Sequence, residues 1–425
     1  MNVAEIINKK ANNVPLSTDE INYIMKGIDN YVNDYQLSAF LMTIKINGFN
    51  DEELLAYTDS IINSGKKFPL NNNQIDKHST GGVGDKVSLI LLPFFSIENI
   101  KFIKFSGRGL GFTGGTIDKL ESIANLKTNY SYKEILESKN NLILSSADEF
   151  APFDKKTYLI RDTSGSIDSW ALIAASVMSK KIISGAKNIF IDIKVGSGAF
   201  LKNLEDGKEL IHYLKLIAKK YNRNIFILFT DMNQPLGYTV GNTLEIEEVM
   251  DFFKGNYEKE LGKLIEKIVS ISYAKIKNIS LKDAKDLYYF NLKNKNLTEE
   301  FLRLLENQNG DISKLRERKI FNPNFSFEYK AKKDGYLKFL DISKLGYFLI
   351  DIKAGRKNKE DKLYYDAGIK FNFKHGDFIK KGDIIFTIFS ENKINKTQES
   401  KISNFLEVSS KKIKQNKIIL GEILW

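Results

Sequence analysis

Between residues 101 and 230, short runs rich in β-branched and aromatic residues alternate with glycine loops and longer helical stretches. Strands that alternate with helices favour a parallel sheet, because each helix returns the chain to the same end of the sheet. The pattern therefore predicts an α/β fold class with a mostly parallel sheet. The runs are KFIKF (101–105), NLILS (141–145), NIFIDIKV (188–195) and NIFILFT (224–230).

Other textures flank this region. The first 65 residues predict three short helices. Ser17 and Asn50 fit capping-box or related N-cap patterns, and Gly48 and Gly65 are expected to close the second and third helices. A β-rich tail with regularly spaced glycines begins at about Phe321. We therefore predict a small all-helical domain (1–66, completed by about 155–184), a larger α/β domain (73–150 and 187–320) and a C-terminal β-rich α+β domain (321–425).

Composition excludes several classes of protein. The 425 residues are 42% hydrophobic and include no cysteine, so disulfides, thiolate catalysis and Cys-ligated metal sites are excluded. The net charge of +11 comes from lysines spread along the chain, which does not indicate nucleic-acid binding. Apolar runs are too short for a membrane helix and the N-terminus lacks a signal-peptide pattern, so we expect a cytoplasmic protein without a membrane partner.

The first chemical motif is the glycine loop DKHSTGGVGD (76–85). Freed glycine amides can bind an anion together with a lysine and hydroxyl groups, so the loop suits phosphate. An ordinary glycine turn with a solvated lysine is the alternative. The candidate groups are the amides of Gly81, Gly82 and Gly84, the hydroxyls of Ser79, Thr80 and Ser88, and Lys77.

A second loop, SGRGLGFTGGTIDKLE (106–121), follows the run KFIKF. It matches the dinucleotide pattern G-x-G-x-x-G, but the acidic residue expected about 20 positions later is missing. A second anion-binding loop at a helix N-terminus fits better, with Ser106, Thr113 and Thr116 as donors. Asp118 and Glu121 are then expected to face the helix dipole.

A third group lies in RDTSGSIDSWALIAASVMSKK (161–181). On a helix, Ser176 and Lys180 are neighbours at i and i+4, and Asp168 continues the same polar stripe on an apolar helix. Arg161 offers a planar fork for two acceptors. The alternative is an internal ion pair of Arg161 with Asp162 or Asp168.

Among three histidines, only His78 lies within a glycine loop, and it is the one candidate for an imidazole acid or base. His212 and His375 are expected to be structural or exposed. No histidine pair has metal-ligand spacing, and no G-x-S-x-G motif indicates a serine hydrolase.

In order and spacing, DKHSTGGVGD, SGRGLGFTGGTIDKLE and IKVGSGAF (193–200) closely resemble the thymidine and pyrimidine-nucleoside phosphorylase family. The resemblance covers essentially the whole chain, including QPLGYTVGNTLEIEE (234–248). It implies reversible phosphorolysis of pyrimidine nucleosides to the base and (deoxy)ribose 1-phosphate, with phosphate as co-substrate and no organic cofactor. The implied phosphate-binding residues are Lys77, Ser79, Ser88, Ser106 and Thr116, with Lys104 and Gly107 close by.

The resemblance also implies that Arg161, Ser176 and Lys180 hold the pyrimidine, with His78 near its O2 atom as hydrogen-bond donor or general acid. Arg161, Lys180 and His78 would then be catalytic. Closure of the domains about the linkers 66–73, 151–155 and 184–187 would gate turnover, and the family's arrangement implies a homodimer.

Two positions depart from the family's pattern. Phe112 stands where the family has histidine in G-L-G-H-T-G-G, and Lys86 stands among residues matching a monovalent cation site. The matching cation ligands are Gly84, Leu236, Thr239 and Glu248. Because an ammonium repels a cation, we hypothesise that Lys86 pairs with Glu248 and replaces potassium.

Three alternatives compete with this interpretation. A phosphoribosyltransferase of the same fold would need a magnesium-binding Asp-Glu pair, which is not evident near the second loop. A catalytically silent nucleoside-binding or phosphate-binding relative is supported by Phe112 alone. A dinucleotide oxidoreductase rests only on the glycine pattern.

Overall fold

The computed structural model describes residues 1–109, 112, 114–145, 149–358 and 361–424. Its first 65 residues form four helices, so the prediction of three was wrong. The missed helix is α1, whose buried face includes Lys10 beside Val3 and Ile6, so its apolar stripe is short. Lys10 pairs with Glu53 at 2.8 Å. The helices are α1 (Val3–Ala11), α2 (Thr18–Lys26), α3 (Asp34–Asn47) and α4 (Asp51–Ile62).

Local capping determines where these helices begin. Ser17 and Asn50 form the predicted capping boxes of α2 and α4. Gly48 ends α3 as predicted, whereas α4 ends at Asn63 rather than at Gly65. Two later helices, α8 (Pro152–Ser164) and α9 (Trp170–Ile183), pack against α3 and α4.

The predicted α/β architecture is confirmed. Described strands form a six-stranded sheet in the order β13-β5-β4-β1-β2-β3, parallel except at β13. The four predicted runs are strands, whereas β1 was not predicted and lies at the centre. The strands are β1 (Asn71–Ser79), β2 (Lys101–Ser106), β3 (Leu142–Ser145), β4 (Ala186–Val195), β5 (Asn224–Asp231) and β13 (Ile419–Leu424).

Helices cover both faces of this sheet and produce separate apolar cores. One core joins the N-terminal helices to one sheet face, and another lies under the helices that follow β5. The remaining helices of this part are α5 (Val87–Ile97), α6 (Thr116–Glu121), α7 (Tyr132–Glu137), α10 (Lys208–Lys220), α11 (Asn242–Phe253), α12 (Lys259–Lys277), α13 (Leu281–Asn294), α14 (Leu297–Glu306) and α15 (Ser313–Arg316).

The C-terminal region has the predicted β-rich α+β character and its own core. Its strands form sheets ordered β10-β8-β12 and β6-β9-β11-β7. These elements are β6 (Thr239–Gly241), β7 (Phe325–Lys330), β8 (Gly335–Phe339), α16 (Ile342–Asp351), β9 (Gly368–Phe371), β10 (Phe378–Ile379), β11 (Ile384–Ser390), α17 (Lys396–Ser400) and β12 (Leu406–Ser409).

Strand exchange ties this region to the α/β body, which differs from the predicted boundary at residue 321. Strand β6 leaves the body to pair with β9, and β13 returns to pair antiparallel with β5. The return of β13 covers the hydrogen-bonding edge that β5 would otherwise expose. The two regions therefore share backbone hydrogen bonds in both directions.

The carboxyl ends of β1 and β2 meet at one edge of the parallel sheet, because the two strands are neighbours in parallel register. The connections also change direction here: β2 and β3 lie on one side of β1, while β4 and β5 lie on the other. Open α/β sheets bind ligands at such a point. In the described part of the chain, no helix combines the length and apolar composition needed to cross a membrane.

Candidate active site

The first glycine loop leaves the carboxyl end of β1 and leads into α5. Lys77 and Ser79 project to the same side of β1, because alternate strand residues share a face. Ser88 is buried in the first turn of α5. The Ser79 hydroxyl accepts a hydrogen bond from the amide of Gly81 at 3.3 Å. Three of the predicted phosphate-binding residues therefore lie around one loop.

The second glycine loop leaves the neighbouring strand. Lys104 and Ser106 lie at the end of β2, and Lys104 Nζ is 3.4 Å from Ser106 Oγ. Gly107 follows and is exposed, and Thr116 is the first residue of α6. Thr113, predicted as a donor, and the loop residues Leu110 and Gly111 lie outside the described residues.

Lys104 is a buried lysine whose ammonium has no carboxylate in direct contact among the described residues. It exposes 5% of its surface, and no carboxylate among the described residues forms an ion pair with it. Its pKa is lowered to about 7, first by burial and then by the charges of Lys181 and Lys77, which Asp76 and Asp85 offset only in part. An anion bound here would supply the missing negative charge and favour the protonated lysine.

Lys77 differs because carboxylates already surround it. Its Nζ lies 3.4 Å from Asp85 Oδ2 and 3.2 Å from Asp192 Oδ2. Burial would raise the pKa of Asp85, but the charges of Lys77 and Lys194 bring that pKa well below its usual value. Lys77 is therefore held in place before any ligand arrives.

At the other end of the site, Ser176 and Lys180 are in contact on α9, as their i, i+4 spacing predicts. Lys180 Nζ donates to Ser176 Oγ at 3.1 Å and also forms an ion pair with the buried Asp154 of α8. The predicted stripe does not extend to Asp168, which precedes α9 and pairs with Lys45 at 2.7 Å.

Arg161 binds the turn between α8 and α9. Its guanidinium donates to the carbonyls of Ser166, Ile167 and Leu172, at 3.4, 2.8 and 3.3 Å. Within the described residues it pairs with no carboxylate, so the alternative of an internal ion pair is not observed. Nor does it contact Ser176 or Lys180 by a hydrogen bond there. A guanidinium has more N–H groups than these carbonyls use, so donors remain for a ligand.

His78 is half-buried near the end of β1. Burial lowers its pKa well below the usual value, and the charges of Lys181, Lys104, Lys180 and Lys77 lower it further. These lysines belong to β1, β2 and α9, so His78 lies near residues of both the first strand loops and helix α9. The imidazole is neutral at pH 7, which favours the predicted hydrogen-bond donor over a protonated general acid.

The two other histidines lie elsewhere. Nε2 of the exposed His212 is 2.8 Å from Asp51, and Nδ1 of His375 accepts a hydrogen bond from the Phe339 amide at 3.2 Å. Among the residues the model describes, no group of three or more His, Asp or Glu side chains could hold a metal ion.

The residues that match a monovalent cation site surround the Lys86 ammonium. Lys86 Nζ donates to Leu236 O at 2.8 Å and Thr239 O at 2.9 Å, and it lies 2.7 Å from Glu248 Oε2. The predicted ion pair of Lys86 with Glu248 is thus present. A potassium ion and this ammonium would need the same oxygens, so the residues present do not fit the metal.

The Glu248 carboxylate is the negative end of this arrangement. Burial would raise its pKa, but the charge and hydrogen bond of Lys86 and hydrogen bonds from Thr239 and Tyr238 leave it below the usual value. Gly84 packs against the same oxygens, since a Cβ there would lie 2.8 Å from Leu236 O. Its φ of +85° also favours glycine.

Several buried charges around the site were not predicted. Lys374, from the C-terminal region, donates to the carbonyls of Pro235 and Gly237 at 2.6 and 2.8 Å, beside the Lys86 contacts. Asp154 and Asp192, which pair with Lys180 and Lys77, were also missed. Only Asp192 had a signal in the sequence, as a lone acid within an apolar strand.

Phe112 occupies the rim of the second loop. Its ring centroid lies 5.8 Å from that of Phe200 and 5.9 Å from that of Tyr347, and Lys202 Nζ lies 5.9 Å from its centroid. The ring therefore links the loop to helix α16, where an imidazole would offer a polar contact instead.

Comparison with known protein families divides the chain as the fold does. Residues 4–65 match the model for the glycosyl transferase family, helical bundle domain, and residues 71–286 match that of its a/b domain. Residues 336–409 match the pyrimidine nucleoside phosphorylase C-terminal domain.

A search of solved structures finds anthranilate phosphoribosyltransferase from Thermus thermophilus, with a TM-score of 0.55 and 13% identity over 71% of this chain and 98% of that one. This likeness shows a shared fold alone.

Full-length relatives are more informative. The chain is 40% identical over 420 residues to a thymidine phosphorylase from Mycoplasmoides pirum, covering 96% of this chain and 100% of the relative. It is 38% identical over 420 residues to a pyrimidine-nucleoside phosphorylase from Staphylococcus epidermidis, covering 97% of each. With the helical bundle, the parallel α/β body and the phosphorylase C-terminal domain all present, the chain belongs to the thymidine and pyrimidine-nucleoside phosphorylase family.

Proposed function

We propose that this protein catalyses the reversible phosphorolysis of pyrimidine nucleosides to the free base and (deoxy)ribose 1-phosphate. One observation carries the proposal: Lys104, which is buried and pairs with no carboxylate among the described residues, and Lys180, which contacts Ser176, both lower the pKa of the same His78. This proximity supports a site in which phosphate binds near Lys104 and the base near Ser176 and Lys180, with His78 close to both.

The proposed reaction is a displacement at C1′ of the sugar. A phosphate oxygen forms the new bond to C1′, while the bond from C1′ to the base nitrogen breaks and its electron pair leaves with the base. The proton that hydrogen phosphate loses on forming the ester neutralises the departing base. Arg161 and Lys180 stabilise that negative charge, and His78 donates a hydrogen bond to the pyrimidine O2. Holding phosphate and sugar together supplies much of the acceleration, so no covalent intermediate is required.

Phosphate is proposed to bind to both glycine loops. Lys77, Ser79 and Ser88 would hold it from the first loop, and Lys104, Ser106, Gly107 and Thr116 from the second. Domain closure about the linkers 66–73, 151–155 and 184–187 would bring phosphate and base together. The first and third of these linkers are in contact, since Asn71 N donates to Gly185 O at 2.8 Å, and the first also reaches Glu149, just before the second, since Lys66 N donates to Glu149 O at 2.7 Å.

The direct test is release of free base from thymidine, uridine and deoxyuridine, with and without phosphate, and with adenosine as the purine control. We expect release only with phosphate and only from pyrimidine nucleosides. The ratio of the thymidine and uridine rates would define the specificity. No release from any pyrimidine nucleoside would contradict the proposal and favour a silent relative, with Phe112 the first position to change.

We also propose that the Lys86 ammonium replaces a monovalent cation, so that turnover does not require potassium. The carbonyl and carboxylate contacts of Lys86 support this. In Lys86→Thr those oxygens lose the ammonium, and potassium should then stimulate activity, with lithium as the control ion. An absence of any potassium response in that variant would sink the proposal.

A homodimer formed through the N-terminal helices is a further proposal. Tyr35 and Ile46 on α3 are 72% and 73% exposed, and Tyr158 and Leu159 on α8 are also exposed. Large apolar side chains on adjacent helices favour an interface. Light scattering should give twice the mass of the chain, and Tyr35→Lys with Ile46→Lys should shift it toward the monomer. The cytoplasmic location stays a prediction.

A further inference from the structure

A buried ion pair joins the C-terminal region to the second glycine loop. Arg356 Nη1 contacts Asp118 Oδ1 on α6, although 238 residues separate them in the chain. Arg356 is 8% exposed and Asp118 is 4% exposed. The pair is therefore shielded from water, which makes its geometry more restrictive than that of a surface ion pair.

Asp118 also accepts a hydrogen bond from the backbone of the second glycine loop. Its second oxygen, Oδ2, accepts a hydrogen bond from the amide of Gly109 at 2.7 Å. Gly109 follows Gly107 by two residues, and the Gly107 carbonyl accepts from Ile117 N at 3.3 Å. Both sides of the turn that leaves β2 are therefore fixed to α6, the helix that Thr116 begins.

The packing at this turn leaves no room for adjustment. A Cβ on Gly115 would lie 2.0 Å from Gly109 N and 2.6 Å from Asp118 Oδ2. Close approach of the two backbone segments thus depends on the same carboxylate. A shift of Asp118 would move Gly107 and Gly109 together with the start of α6.

Arg356 is itself held in place. Its Nε donates to Asp361 O at 3.3 Å, and its Nη2 lies 3.7 Å from the Glu121 carboxylate. Glu121 in turn accepts a hydrogen bond from Arg108 Nε at 2.8 Å. The predicted role of Asp118 and Glu121 as partners of the helix dipole is therefore incomplete. Both carboxylates pair with arginines, one of which comes from the C-terminal region.

We propose that Arg356 is a positioning residue for phosphate, acting through Asp118 on the backbone of the second glycine loop. It does not touch substrate. It fixes the loop whose flanking residues Ser106, Gly107 and Thr116 are proposed to hold phosphate, so this inference rests on the proposed function. The C-terminal region thereby contributes to phosphate affinity without lining the base end of the site.

The proposal separates two kinetic constants. Loss of the Arg356 charge should raise KM for phosphate by about 10- to 100-fold, as loss of an outer partner does for bound metals. The KM for the nucleoside should change by less than about two-fold, because Arg161, Ser176 and Lys180 lie on α8 and α9. A purely structural role would lower the melting temperature without this split.

The test compares Arg356→Gln, Arg356→Lys and Asp118→Asn with Arg318→Gln. Arg318 is the matched control because it pairs with Glu247 and Asp251 of α11, at 2.8 and 2.5 Å, away from the loop. Arg356→Lys should recover part of the phosphate affinity. The effects of Arg356→Gln and Asp118→Asn on KM for phosphate should not add in the double variant, because each substitution removes the same ion pair.

Phosphate binding to each purified variant, measured by calorimetry without nucleoside, keeps the outcomes distinct. Wild-type protein that binds phosphate but releases no base overturns the proposed function only. Wild-type protein that binds no phosphate overturns the positioning role as well. Equal phosphate affinity in Arg356→Gln and Arg318→Gln would also overturn the positioning role. If Arg356→Gln does not fold, Arg356→Lys and Asp118→Asn are compared with Arg318→Gln instead.

Discussion

Two buried lysines, Lys86 and Lys104, lie in opposite electrostatic surroundings. Lys86 Nζ has a carboxylate at 2.7 Å and two carbonyls at 2.8 and 2.9 Å. Lys104 Nζ has one hydroxyl at 3.4 Å, and its pKa is lowered first by burial and then by the charges of two other lysines. The first ammonium is enclosed by oxygen atoms, whereas the second has one hydroxyl and, among the described residues, no carboxylate partner.

The difference distinguishes a structural lysine from one that awaits a ligand. Burying a charge is unfavourable unless a partner compensates it, and a shifted pKa is the sign that compensation is incomplete. At Lys86 the protein itself supplies every partner. At Lys104 no carboxylate of the described residues pairs with the ammonium, and the proposed phosphate would complete the charge balance.

The largest effect should come from breaking the ion pair of Lys86 with Glu248. Lys86→Met leaves the Glu248 carboxylate buried without its cation, so we expect a loss of about 3–5 kcal/mol in the free energy of unfolding. Denaturant unfolding measures the loss. Lys338→Met, which removes an exposed pair with Glu407, should cost less than about 1 kcal/mol. Equal stability of the two variants would refute the idea that Lys86 is structural.

Removing the Lys104 charge should leave the free energy of unfolding almost unchanged but impair turnover. Lys104→Gln removes the charge that would meet phosphate, and we expect kcat/KM for phosphate to fall by at least about 100-fold. Initial rates at varied phosphate measure the loss. Lys101→Gln is the control, because that lysine of the same strand donates to Ser138 O and Asn140 O at 2.7 and 2.9 Å. A similar loss in both variants would show that the effect is on the strand.

Sequence reasoning predicted the apolar strands and the helix caps because both have local signals. It missed β1, the central strand, whose sequence NNNQIDKHS contains one aliphatic residue. Gln74, Asp76 and Lys77 are buried there. Periodicity assigns buried positions to apolar residues, so a strand with a polar buried part has no recognisable pattern.

The partners that make this strand possible are distant in the chain. Asp76 Oδ1 pairs with Lys181 at 2.9 Å, and Gln74 Nε2 donates to Ser184 O at 2.7 Å. Contacts across more than one hundred residues are fixed by the tertiary fold, so no local spacing indicates them. The Ser176–Lys180 contact was predictable because one helical turn creates it, whereas the Asp154 contact to the same lysine was not.

A pH series should sharpen the contrast between the two lysines. With a pKa of about 7, Lys104 loses its proton as the pH rises, so anion affinity should fall up to about ten-fold per pH unit above 7. Sulfate is the probe, because its charge stays constant over this range. At pH 7, binding should take up about half a proton, which calorimetry in buffers of different ionisation enthalpy detects.

Lys104→Arg provides the control for this series, since a guanidinium stays charged throughout. Its sulfate affinity should be flat between pH 7 and 9. A wild-type affinity that is equally flat would show that Lys104 keeps its proton without a ligand, and the contrast with Lys86 would then fail.

The smallest effect is expected at the rim of the second loop. Phe112→Leu removes aromatic contacts that are worth about 0.5–1.5 kcal/mol, so KM for phosphate should rise by about two- to ten-fold. Phe325→Leu is the control, because Phe325 also has a lysine beside its ring but lies on a remote surface. Lys393 Nζ is 6.0 Å from its ring centroid. Phe112→His restores the histidine of the family's pattern. It should change the rate by no more than Phe112→Leu does. If wild-type protein is inactive and Phe112→His is active, the ring blocks turnover rather than supporting the loop beside Lys104.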